Sequence, residues 1–270
     1  MTAPEPVAVI TGAARGMGRA TAERLTAAGW RVALLDLGAP SPEPGTTDLP
    51  EPYCPATLDE LAEAEAACGE RAESHLVDVR DQATVTTAVD SVVARHGRLD
   101  AVVAAAGAVA GGPPIWEATD EVWHAMIDVN LTGMFHLVRA TVPHLLARPE
   151  PRSGRFVGIA STAAHHGLPG LAAYSASKHG VAGLVRALAA ELGPTGVTAN
   201  AVAPGSTMTH MLHASAAIYG LPEPGSFTRQ TRIQRAIDPD EIAAAVAWLC
   251  TEAPGALTGA VLDVDGGFRP

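Results

Sequence analysis

A phenol and an ammonium stand four residues apart in the stretch Tyr174-Ser175-Ala176-Ser177-Lys178. On an α-helix that spacing puts both on one face. A free phenol ionises near pKa ~10, too high for a base at neutral pH. A nearby positive charge favours the phenolate and brings the group towards useful acid–base chemistry. Ser161, at the end of an apolar run, can donate a hydrogen bond to an oxygen on which charge develops. Taken singly, a helix Tyr usually packs and a Lys one turn later is usually solvated. Together they form a set able to move a proton to or from a substrate oxygen.

A second cluster supplies a partner for that chemistry. Thr11-Gly12-Ala13-Ala14-Arg15-Gly16-Met17-Gly18 follows an apolar run and opens a helical pattern. Glycines there let the backbone approach a pyrophosphate, and the free N–H groups of the helix end point at it. Alone, such a cluster can be an ordinary tight turn. Asp36, ending the next strand, strengthens it, because a carboxylate there can accept hydrogen bonds from both ribose hydroxyls of an adenosine. A 2′-phosphate in the same place meets like charge, so NAD is expected over NADP. Arg15 pulls the other way, but Leu37 adds no second positive charge. Arg15 is therefore expected to be solvated or on the pyrophosphate side. Asp78 and Val79, after the third strand, are expected at the adenine; Asp78 can equally be a turn or cap residue.

Short apolar runs position these groups, at 7–10, 31–36, 75–77, 101–105, 155–160, 197–203 and 260–263. They lack period-2 alternation, as expected of strands buried on both faces. Helical patterns lie between them at 17–28, 81–96, 119–147, 171–192 and 239–251. The alternation predicts an α/β fold, a Rossmann-like doubly wound parallel sheet of about seven strands flanked by helices. One such domain is expected to span 1–270, with an insertion at about 38–58 and a substrate lid at about 206–234. Pro143 is expected to kink or break the 119–147 helix. Thr57 and Glu60 have capping-box spacing, so a helix resumes after the proline-rich segment 38–55.

With 47% hydrophobic and 17% charged residues, the chain of 270 residues can bury a large core. The net charge of −11 argues against nucleic-acid and anionic-membrane partners. Cys54, Cys68 and Cys250 share no paired spacing, and no targeting or spanning segment is apparent, so a cytoplasmic protein is expected. His165-His166 and His210 with His213 lack a carboxylate or thiol at ligand spacing, and no metal is expected. Segment 206–234, with Met208, Met211, Leu212, Ile218, Tyr219, Leu221 and Phe227, suits a small hydrophobic alcohol or ketone, or else a packed helix pair. His165 and His166 can reach substrate or be solvated, and Trp116 and Trp123 are expected to pack.

The order Thr11-Gly12-x-x-x-Gly16-x-Gly18, Asp78, Asn130, Ser161, Tyr174-x-x-x-Lys178 and Pro204-Gly205 resembles the short-chain dehydrogenase/reductase family over essentially the whole chain. The resemblance implies an NAD-dependent alcohol dehydrogenase or ketone reductase, in a family usually tetrameric or dimeric, and a homotetramer is expected. It makes Tyr174 the general acid/base and gives Lys178 the nicotinamide ribose. Ser161 polarises the carbonyl and Asn130 anchors a water for proton relay. Pro204, Gly205, Thr207 and Thr209 line the nicotinamide carboxamide. Where the family has Asn-Asn-Ala-Gly, this chain has Ala104-Ala105-Ala106-Gly107. Backbone contacts from Ala104, Ala105 and Gly107 to the cofactor are expected to survive, but the bracing by the missing Asn must come from elsewhere.

The insertion, Tyr53-Cys54-Pro55-Ala56-Thr57-Leu58-Asp59-Glu60-Leu61, Ala247-Trp248-Leu249 and Asp265-Gly266-Gly267-Phe268 resemble the mycofactocin-coupled branch, to which carveol dehydrogenases are similar. That implies tightly held NAD recycled in place by mycofactocin, with 38–55 as a clasp over the adenosine ribose. The alternatives are an ordinary carbonyl reductase with exchangeable NAD(P), or a catalytically silent NAD-binding regulatory protein.

Overall fold

Apolar residues on both sides of each run decide the architecture. In the strand Val7–Thr11 (β1), Val7 and Val9 enter one core while Ala8 and Ile10 enter another. A strand buried this way must lie in mid-sheet with helices on both faces. The computed structural model describes residues 5–39 and 49–269 and has this layering.

Along the chain follow α1 (Gly16–Ala27), β2 (Arg31–Asp36), α2 (Leu58–Cys68), β3 (Ala72–Leu76), α3 (Gln82–His96) and β4 (Ala101–Ala104). Then come α4 (Asp120–Ile127), α5 (Gly133–Leu146), β5 (Arg155–Ile159), α6 (Ala172–Leu192), β6 (Thr198–Pro204), α7 (His210–Ile218), α8 (Pro239–Thr251) and β7 (Val261–Val264). The strands form one parallel sheet ordered β3-β2-β1-β4-β5-β6-β7. Helices α3, α5 and α6 cover one face around Leu137, Phe156 and Val185. Helices α1, α2 and α8 cover the other around Leu25, Leu34 and Ile242. The order reverses between β1 and β4, which opens a crevice beyond the strands' carboxyl ends.

Two expectations about elements are corrected. The third strand is Ala72–Leu76, not 75–77. It pairs only with β2 at the sheet edge, so polar Glu73, Ser74 and His75 are tolerated there and the apolar signal starts late. Pro143 does not end its helix, because α5 runs on to Leu146 and only the last turn lies beyond it. The winding changes earlier, in a wider π-helical turn at Asp128–Thr132 between α4 and α5.

The insertion leaves and returns at one point: Ala39 N donates to Ala56 O at 2.7 Å, and Leu58 N donates to Ala39 O at 3.2 Å. Part of the expected clasp, 40–48, lies outside the described residues. Thr57 does cap α2, its hydroxyl accepting from Glu60 N at 3.2 Å while Glu60 Oε2 accepts from Thr57 N at 2.8 Å. Such a box contributes about 1 kcal/mol to the helix start.

Candidate active site

The crevice holds a long cleft under the β1–α1 loop. Gly12, Arg15, Gly16, Met17 and Gly18 line it, with Asp36 and Leu37 from the end of β2 and Asp78 and Val79 beyond β3. A Cβ on Gly18 would lie 2.1 Å from Gly12 O, so only glycine lets α1 start this close to β1. That contact leaves the start of α1 open to a phosphate-bearing ligand.

Asp36 ends β2 with its carboxylate turned back on the loop. Its Oδ2 accepts from Ala14 N at 3.0 Å and its Oδ1 from Leu37 N at 2.8 Å. Burial raises its carboxyl above the usual range, and the two backbone donors and Arg15 pull it partly back. Each oxygen retains a lone pair for a ribose hydroxyl. The loop and this carboxylate therefore fit a dinucleotide without a 2′-phosphate.

Arg15 lines the cleft and, held by protein partners, is largely buried and not solvated. Its guanidinium donates to Cys54 O, stands 3.6 Å from Glu60 Oε1 and lies 5.9 Å from the Tyr53 ring centroid. Tyr53 and Leu49 from the insertion line the same cleft, as do His210 and Met211 from α7. No motif marks these four as cleft residues, and they come from segments distant along the chain. Asp78 meets the cleft while gripping Arg80, whose Nη2 is 2.6 Å from Asp78 Oδ2.

Ala104 does not line the cleft. It is buried inside β4, paired with Thr11 and Gly158, and the half-buried Ala105, Ala106 and Gly107 past the strand end line the cleft. Two residues brace this segment where the expected Asn is absent. Thr11 Oγ1 accepts from Ala106 N at 3.2 Å. Asn130, carried inward by the wide turn, accepts from Ala108 N at 2.8 Å and donates to Ala108 O at 3.1 Å. Its Nδ2 also donates to Ser177 Oγ at 3.0 Å, and Ser177 Oγ donates to Tyr174 O at 2.7 Å. The Asn130 side chain thus ties the segment after β4 to α6 and is committed to protein partners.

The cleft continues into a cavity of about 530 Å³. Ser161, Tyr174 and Lys178 line it, with Pro204, Gly205, Thr207 and Thr209 on the β6 side. Met17, Ala105, Gly107, Thr209 and Met211 border both spaces. Tyr174 and Lys178 are buried on the inner face of α6. Burial pushes the Tyr174 phenol up, and a hydrogen bond with Ser161 pulls it partly back. In the protein alone the phenol is raised, and the lowering comes from Ser161 and not from the neighbouring ammonium as expected. Lys178 Nζ instead donates to Ile159 O at 3.0 Å and lies 5.8 Å from the Tyr174 ring centroid. Burial lowers its amine to about 8.

The lid contributes Met211, Leu212, Ser215, Tyr219, Leu221 and Phe227 to the cavity. Met208 is exposed, and His213 and Ile218 are absent from the wall. His165 stands 3.1 Å from Asp263 and His166 stacks on Phe268, so neither lines the cavity. Trp116 is 80% exposed and Trp123 43%, which corrects the expectation that they pack within the chain. They sit on α4 and the turn before it, outside the covering layer.

A glycine loop under a helix end, a ribose-facing carboxylate and a Ser–Tyr–Lys set at one cavity define a nicotinamide-dependent oxidoreductase. Residues 12–269 match the family model described as enoyl-(acyl carrier protein) reductase. An uncharacterized NAD-dependent oxidoreductase of Mycobacterium tuberculosis is 39% identical over 269 residues, 97% of this chain and 94% of the relative. Cyclohexanol dehydrogenase of a Rhodococcus species is 35% identical over 97% of this chain and 95% of its own length. Carveol dehydrogenase from Mycobacterium avium, solved with NAD, superposes with a TM-score of 0.88 at 35% identity, covering 97% of this chain and 96% of that one. The chain belongs to the short-chain dehydrogenase/reductase family and is an NAD-dependent enzyme. Among the described residues no helix is long and apolar enough to cross a membrane.

Proposed function

We propose that the protein interconverts a small hydrophobic secondary alcohol, carried on a ring, and its ketone, at the cavity bordered by Ser161, Tyr174 and Lys178. The observation that carries this reading is that cavity's continuity with the dinucleotide cleft, with the Tyr174 hydroxyl 3.9 Å from the sulfur of Met211, which borders both. Its walls are mostly apolar, and about 530 Å³ suits a substituted six-membered ring. Cyclohexanol and carveol, named for two relatives, are both ring-borne secondary alcohols.

Bound NAD supplies the nicotinamide carbon that accepts or gives the hydride. In oxidation the Tyr174 phenolate takes the proton from the substrate alcohol and becomes the phenol; in reduction the phenol gives that proton to the ketone oxygen. Ser161 donates a hydrogen bond to that same oxygen and steadies its developing charge. Lys178, held by Ile159 O, offers its remaining protons to the nicotinamide ribose and keeps positive charge near the phenol. Asn130 positions Ala108 and, through Ser177, the helix turn bearing Tyr174; a relay water would have to use its main-chain carbonyl, since its side chain is committed. Turnover of cyclohexanol with reduced-nicotinamide absorbance as readout tests the reading, and no activity on any ring alcohol overturns it.

We infer further that NAD is held between turnovers and recycled by mycofactocin as electron acceptor. Support comes from Arg15, which ties the glycine loop to Cys54 O and Glu60 and so pins the insertion over the adenosine side. Slower release acts through the off-rate. Denatured, exhaustively dialysed protein is expected to release about one NAD per chain, and Glu60→Gln to release clearly less. Wild-type protein stripped of NAD by dialysis leaves the exchangeable-cofactor reading standing. We also infer a homo-oligomer, to which exposed Trp123 and Phe135 on α4 and α5 would contribute.

A further inference from the structure

Beyond β7 the chain turns back on itself. Gly266 and Gly267 have φ of +67° and +73°, a region that strains any side chain. A Cβ on Gly266 would also lie 2.7 Å from Ile233 Cδ1, and one on Gly267 2.7 Å from Arg232 Cδ. Asp265 Oδ1 accepts from Gly267 N at 2.8 Å and closes the turn. The reversed backbone then binds the end of the lid. Arg232 N donates to Gly266 O at 2.9 Å, Ile233 N to the same oxygen at 3.1 Å, and Arg269 N to Gln230 O at 2.7 Å. Thr231 and Phe268 form an antiparallel bridge. At its other end the tail packs on the β6 loop, where Gly205 N donates to Val264 O at 3.3 Å.

The turn delivers Phe268 to the cavity wall, together with Leu221, Phe227 and Gln230 from the lid. Its ring is fixed from behind by His166, 5.6 Å away between centroids and tilted by 43°. The backbone bonds on either side fix where the ring sits. An aromatic wall held this way sets the length of substrate that fits, whereas a free terminal side chain would swing aside.

We infer that Phe268 is a specificity-determining residue, limiting how far a substituent on the ring alcohol can extend. This rests on the ring-alcohol reading above. Phe268→Ala opens the wall while leaving the backbone bonds of the tail in place. It is expected to raise KM for cyclohexanol roughly tenfold with kcat changed by less than about threefold. The ratio of kcat/KM for 4-tert-butylcyclohexanol over cyclohexanol is expected to rise at least tenfold on the same ground. Phe268→Leu, which restores most of the apolar volume, is expected to move both values back towards wild type. Hydrogen exchange of amides 230–233 reads the tail's hold on the lid and is expected to stay unchanged in Phe268→Ala.

An unchanged substrate ratio, in a variant as active as wild type, overturns the assignment alone. Faster exchange at 230–233 with an equal loss of kcat on both alcohols also overturns it, showing a structural brace instead. Wild-type protein that turns over no ring alcohol overturns the ring-alcohol reading, and this assignment with it.

Discussion

Tyr174→Phe is expected to lower kcat by roughly 10²–10⁴-fold, the contribution of a positioned acid or base. The substitution removes one oxygen. Tyr174 is 7% exposed and belongs to a buried apolar cluster with Met126 and Leu171, a setting that suits phenylalanine equally. The lost hydrogen bond to Ser161 costs about 0.5–1.5 kcal/mol at most in stability. Thermal unfolding should therefore shift by only a few degrees, and bound NAD measured after denaturation should not change. A variant retaining more than about a tenth of wild-type kcat would remove Tyr174 from the role of acid/base. The pH profile gives a second check with a defined sign. Burial raises the phenol, so it is protonated at neutral pH in the protein alone. Alcohol oxidation needs the phenolate and should quicken as pH rises. Ketone reduction needs the protonated phenol and should hold level, then fall at alkaline pH.

Asp36→Ser is expected to weaken NAD retention by roughly 10- to 100-fold, the value of a charge-assisted hydrogen-bond pair. It also removes the like charge that excludes a 2′-phosphate. Discrimination against NADP should fall, but a strong NADP preference should not appear. The nearest candidate cation, Arg15, is engaged with Cys54 O and Glu60 and cannot turn to a new phosphate without leaving them. Adding Glu60→Gln loosens that hold, so the double variant should take NADP better than Asp36→Ser alone. Nucleotide content of the purified variants, read by mass spectrometry after soaking in each dinucleotide, decides the matter. An Asp36→Ser protein that keeps full NAD selectivity would remove Asp36 from the adenosine site. Because Asp36 also accepts from Ala14 N and Leu37 N, the substitution costs about 1–3 kcal/mol of stability as well.

Elements formed by local pattern were legible in the sequence, and contacts made across the chain were not. β2 and the capped start of α2 are written in contiguous apolar runs and in the Thr57–Glu60 spacing. The edge strand β3 was misplaced because a strand paired on one side keeps polar residues. The interruption in 119–147 was sought at Pro143, which announces itself by chemistry, yet a proline in a final helical turn removes little. The wide turn at Asp128–Thr132 has no local signature. What it achieves is the reach of Asn130 to Ala108 and Ser177, a tertiary purpose. Arg15 shows the same limit. Its position in the glycine loop suggested a phosphate or solvent, while its partners stand 39 and 45 residues further on. Ala104 was drawn to the cofactor by motif alignment, but a strand ending at Ala104 puts the cleft one residue later. The tail's role in the cavity depends on hydrogen bonds between residues 230–233 and 266–269, which no periodicity encodes.

Lys178 has one more property: no other lysine occurs anywhere in the chain. Its amine is lowered to about 8, so near that pH much of it is the nucleophilic free base. An aldehyde followed by borohydride should therefore fix at most one ε-label per chain, at the floor of the cavity and nowhere on the surface. The mass of the peptide that carries Lys178, kept apart from any label on the α-amine, then becomes a count of open sites. Dinucleotide resting on that amine should erase the label, and so the protein carries its own occupancy gauge.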